Sequence, residues 1–108
     1  MNFRSYRLIL CYRILAVVLL HCCFSNALAT TRYVSTNGLA VGSFTNWTEA
    51  ATSIQAAINV SVDGDVVMVS NGVYNSGSVT LTSNMPCRIA ITNAITVQSV
   101  NGPSVTVI

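Results

Sequence analysis

Residues 47–69, WTEAATSIQAAINVSVDGDVVMV, decide how the chain is read. The first half is Ala-rich, and Trp47, Ala50, Ile54, Ala57 and Ile58 recur at helical spacing, forming one apolar stripe. Asn46 and Glu49 have the form of a capping box, in which the Asn side chain accepts from a backbone N–H and Glu49 reaches back to the cap amide. The pattern therefore predicts a helix from Trp47 to Asn59. Asp63-Gly64-Asp65 ends that periodicity, and DVVMV then reads as a strand of β-branched residues.

Outward from this stretch the chain is strand-like to its last residue. The runs VTLT (79–82), RIAIT (88–92), AITVQSV (94–100) and SVTVI (104–108) are separated by Asn, Gly, Ser or Pro. Upstream, Arg32-Tyr33-Val34-Ser35 is a further short strand, closed by Thr36-Asn37-Gly38. Asn71-Gly72 directly after DVVMVS is the usual mark of an antiparallel hairpin and leads to a small α+β domain. The number and shortness of the runs lead elsewhere. Val67, Val69, Ile95, Val97, Val105 and Val107 alternate with polar neighbours, as in a coil with a dry interior and a wet exterior. That pattern predicts stacked coils of a solenoid, with Trp47, Ile54 and Ile58 on a helix that covers the open first coil.

The wording IQAAIN…DGDVVMVSNGVYNSG…AITVQSVNGPSVTVI resembles the opening of exported right-handed parallel β-helix proteins, the pectate-lyase-like superfamily. The resemblance runs from about Arg32 to Ile108, and its motifs are diffuse patterns of Gly, Asn and Val. It implies a right-handed parallel β-helix start with an N-terminal amphipathic capping helix. With the leader read from the N-terminal residues themselves, the expected organisation is leader (1–29), strand, loop and cap helix (30–62) and first coils (63–108). Because SVTVI stops inside a strand, the expected partner of this last coil is further coils of the same chain.

The N-terminus reads as an export signal. Arg4 and Arg7 give the positive start, Ile14 to Leu20 the apolar core, and Ala27-Leu28-Ala29 the small-x-small cleavage pattern, making Thr30 the first mature residue. Arg13 and His21 interrupt the apolar run, leaving it shorter than the roughly 20 residues a membrane-spanning helix needs. The expected destination is outside the cell or on its surface, with no membrane association after cleavage. Of five basic residues, all arginine, three lie in the leader. The remainder, Arg32 and Arg88, oppose Glu49, Asp63 and Asp65. So few cations do not suit nucleic acid, which is held by clustered Lys and Arg.

Chemistry-bearing residues are scarce. Cys11, Cys22 and Cys23 belong to the leader, and Cys87 reads as a small half-buried hydrophobe or as one half of a disulfide whose partner lies beyond Ile108. Asp63 and Asp65 supply too few oxygens for calcium, which takes six to eight, and read as a polar turn. Glu49 reads as the capping partner and Arg88 as a solvated flank. His21 is the one histidine and leaves with the leader, so Ser-His-Asp and Cys-His arrangements are excluded from the remainder. Tyr33, Phe44, Trp47 and Tyr74 stand as sugar-stacking aromatics or as core, with core preferred for Trp47. Asn46-Trp47-Thr48 and Asn59-Val60-Ser61 fit the glycosylation pattern, but the resemblance is to bacterial proteins, in which such sequons carry no weight.

No catalytic, cofactor-binding or metal-binding residue is assigned. The resemblance implies a polysaccharide-binding or polysaccharide-processing protein, with any lyase or hydrolase residues, and calcium, on later coils. The alternatives are a non-catalytic adhesin or passenger scaffold, and a complete small secreted α+β domain.

Overall fold

Tertiary pairing selects among the β-prone runs. The computed structural model describes residues 28–82 and 84–108, so the expected leader lies outside the described residues except for Leu28 and Ala29. Strand β1 spans Thr31–Val34, helix α1 Ile54–Val60 and strand β2 Val66–Val69. Then come β3 (Gly72–Val73), β4 (Val79–Thr80), β5 (Pro86–Cys87), β6 (Thr96–Ser99) and β7 (Thr106–Val107). RIAIT does not form the expected strand: Pro86-Cys87 pairs in its place.

The largest sheet is parallel, in the order β1-β2-β6. Arg32, Val67 and Val97 are aligned across it, as are Val34, Val69 and Ser99. Residues aligned in this way share a face. On the inner face Val34, Val67 and Val69 meet Ile54, Ala57 and Ile58 of α1, with Phe44, Ala51 and Tyr74 completing the buried cluster. On the outer face Tyr33, Met68 and Gln98 form a row.

The expected right-handed parallel β-helix does not form. The strands sort into three short, separate sheets, β1-β2-β6, β3-β7 and β4-β5, with no closed coil among the described residues. One of the three is antiparallel: β4 turns back on β5, pairing Val79 with Cys87 and Thr80 with Pro86. Pro86 lacks an N–H and both strands are only two residues long, so this excursion carries no continuing ladder. Asn71-Gly72 is not a hairpin turn, since β3 leaves β2 and pairs parallel with β7. Val105 and Val107, expected in the core, are 41% and 49% exposed, whereas Ile95 and Val97 pack against its margin.

The helix is shorter than its pattern. Residues 48–51 are drawn into backbone pairing instead: Ala51 bonds to Tyr33 and Ser35 beside β1, and Leu39, Ala40 and Val41 donate to Thr48, Ala50 and Glu49. These bonds hold the Ala-rich stretch outside a helix, and the N-cap is Ser53, whose Oγ accepts from Ala56 N at 3.2 Å. Trp47 therefore does not join the helical cap. It is 45% exposed. The Asn46–Glu49 box closes as an isolated turn, with Glu49 N donating to Asn46 Oδ1 at 2.8 Å.

Candidate functional site

The polar interior is organised by Asp65, the last residue before β2, which is 1% exposed. Its Oδ1 accepts from Thr30 N at 2.9 Å, and its Oδ2 accepts from Val62 N at 3.1 Å. Arg32 donates to the same Oδ2 from Nε at 3.4 Å and from Nη2 at 3.3 Å. Arg32 also reaches the Ser43 carbonyl at 2.8 Å, tying the loop to the sheet. The Thr30 amide, then the Val62 amide and the Arg32 guanidinium, hold the Asp65 carboxyl below the usual carboxylate range, against the opposing effect of burial. Asp63 makes the polar turn that its sequence implies, with Oδ1 accepting from Ala94 N at 2.9 Å. The two carboxylates are structural, and no group of three potential metal ligands occurs among the described residues.

A more accessible arrangement lies where the parallel strands end. β1 runs into Ser35-Thr36-Asn37, β2 into Ser70-Asn71 and β6 into Val100-Asn101. Backbone bonds continue the ladder past the strands, with Ser70 N donating to Val34 O and Val100 N to Val69 O, both at 2.9 Å. These ends line a shallow open groove of about 320 Å³. Asn101 Nδ2 donates to Asn71 Oδ1 at 2.8 Å. That bond orients the two amides and leaves Asn71 Nδ2 and Asn101 Oδ1 outside the pair. Trp47 forms one wall, its ring 4.5 Å from that of Tyr33 and tilted by 58°.

No lining residue of this groove is ionisable. It has no fixed charge for a phosphate or a cation, and no acid or base to move a proton at neutral pH. It offers instead an indole face beside several amide and hydroxyl groups, a set suited to a neutral, hydroxyl-rich ligand.

The other aromatics divide. Phe44 and Tyr74 are core, and the Tyr74 hydroxyl donates to the Ser70 carbonyl at 3.0 Å. Arg88 is the exposed flank of β5 that its sequence implies, and its guanidinium bonds the Gly77 carbonyl beside a smaller cavity of about 140 Å³. Cys87 is half-buried, with its thiol against the Val79 carbonyl at 3.2 Å. Glu49 Oε2 accepts from Asn46 Nδ2 at 2.9 Å, a side-chain version of the expected box.

The groove was not assigned from the sequence, although a signal for it was present. YVSTNG, MVSNG and SVNG each end in Asn-Gly, at Asn37-Gly38, Asn71-Gly72 and Asn101-Gly102. Each follows one strand of the parallel sheet, and Asn37, Asn71 and Asn101 all line the groove. No family model, curated protein or solved structure matches the chain.

Proposed function

We propose that the chain is exported and that its folded part binds a neutral polysaccharide outside the cell through the groove at the strand ends. The observation that carries this reading is an indole exposed beside the bonded pair Asn71 and Asn101, with no ionisable group among the lining residues. Trp47 packs on the C–H face of a sugar ring, and Asn37, Asn71 and Asn101 exchange hydrogen bonds with its hydroxyls. The open groove suits a chain that passes along it. Binding, rather than bond cleavage, is the activity these residues support, because none of them is a proton donor or acceptor of suitable pKa.

The test uses the full chain, expressed with its leader in an exporting host, and the product recovered outside the cell. Affinity electrophoresis against neutral and acidic polysaccharides should retard that product on neutral gels only. Trp47→Ala should weaken the retardation at least about tenfold, corresponding to about 1.4 kcal/mol, with little loss of stability. Unchanged retardation of Trp47→Ala, or preference for an acidic polymer, would sink the reading.

A further inference from the structure

Packing in the described chain starts at one residue. Leu28 is 87% exposed and Ala29 is exposed. Thr30, by contrast, is fixed on both sides of its α-carbon. Its N–H donates to the buried Asp65 Oδ1 at 2.9 Å, and its carbonyl accepts from Val66 N at 3.0 Å. This is the residue that the Ala27-Leu28-Ala29 pattern makes first after cleavage. The limit of packing and the expected cleavage point coincide.

We propose that hydrolysis of the Ala29–Thr30 peptide bond converts the Thr30 amide into an ammonium group paired with Asp65, so that leader removal completes a part-buried ion cluster. A signal peptidase of the host and one water molecule supply the step. Water adds across the C–N bond, Ala29 takes the new carboxylate and Thr30 takes the new amine, protonated at neutral pH. The Thr30 nitrogen already lies at hydrogen-bond distance from Asp65 Oδ1, so no rearrangement is required. Arg32 holds the other oxygen of the same carboxylate.

Charge balance favours the processed form. Before cleavage the turn carries two carboxylates, Asp63 and Asp65, against the single guanidinium of Arg32. The ammonium brings this local set to neutrality. It also exchanges a neutral donor to the Asp65 carboxylate for a cationic one, turning a hydrogen bond into an ion pair at the same position. The processed chain therefore holds its first strand more firmly than the precursor does.

The sequence makes the test clean. The chain has no lysine, so in a product beginning at Thr30 the α-amine is the one amine available to an acylating reagent. The full chain would be expressed in an exporting host and the N-terminus of the product read by mass spectrometry. Labelling by an N-hydroxysuccinimide ester would then be followed against pH for native and urea-unfolded product. Thr30 should be the first residue. The labelling profile of the native product should lie at higher pH than that of the unfolded product, with labelling about tenfold slower at a pH near 8. Asp65→Asn should remove the displacement if it folds, and the native-against-unfolded comparison stands without that variant. A product beginning elsewhere, or coincident pH profiles, would overturn the proposal.

Discussion

Asp65 shows how one side chain fixes the start of the fold. It takes amide donors from Thr30 and Val62 and the guanidinium of Arg32, gathering the segment before β1, the strand itself and the turn before β2 onto one carboxylate. Its pKa in the folded chain is lowered, first by the Thr30 amide. The folded form therefore binds the proton less readily than the unfolded form, whose carboxyl titrates near about 4. The resulting stabilisation is complete above that value and is lost as pH falls below it towards the folded pKa. Urea midpoints should hold level from neutral pH to about pH 5 and fall below about pH 4. Asp65→Asn should be less stable at neutral pH, with the gap to the parent chain closing in acid. Equal pH slopes for the two would show that Asp65 does not carry the acid response. The sequence made Asp65 legible as a polar turn residue, but beyond the nearby Val62 its partners Arg32 and Thr30 lie 33 and 35 positions away, outside local pattern. Gly38 was legible only as a turn residue for the same reason: a Cβ there would lie 2.1 Å from the Ala50 carbonyl oxygen, a long-range approach.

The 47–59 segment separates what local pattern can and cannot specify. Its periodicity located α1 and the buried residues Ile54, Ala57 and Ile58. It overran at the front because Ala50 and Ala51 also fit, fully buried, against the 38–41 loop and β1, where their backbone groups form intersegment bonds. Small side chains suit a helix and a close backbone approach equally, so composition does not choose between them. Two candidate caps then differ in consequence. Ser53→Ala removes the side chain that accepts from Ala56 N and should cost about 1 kcal/mol. Asn46→Ala removes two exposed turn bonds that cap no helix and should cost no more than about 0.5 kcal/mol. Urea unfolding of both variants checks the order, and a larger loss from Asn46→Ala would show that the box, not Ser53, anchors this region. The short strands were legible as β-prone, whereas their partners were not: the same Val-Thr run serves a central sheet or an exposed edge according to what lies opposite.

At the scale of the molecule, the three sheets differ in how firmly they are held. β2 is the one strand of the described chain flanked by strands on both sides, and its Val67 and Val69 are buried under α1. β4 and β5 have two residues each and pair only with one another, and of their four residues only Val79 and Cys87 are partly buried. The groove spans the ends of β1, β2 and β6, so its asparagines rest on the best-supported part of the structure. That placement suits a binding surface whose amides must hold their orientation before a ligand arrives, because ordering them on contact would weaken association. It also sets an order of local opening. Amide exchange followed by NMR on the folded chain should find the Val66–Val69 amides the slowest, close to the global unfolding limit. The amides of β4 and β5 should exchange at least about 100-fold faster, since they open without disturbing the Val67–Ile54 core. On the proposed function, addition of a neutral polysaccharide should slow exchange at Asn71 and Asn101 and leave β4 and β5 unchanged. Uniform protection across all seven strands would contradict this hierarchy, because it would require the β4–β5 excursion to unfold only with the parallel sheet.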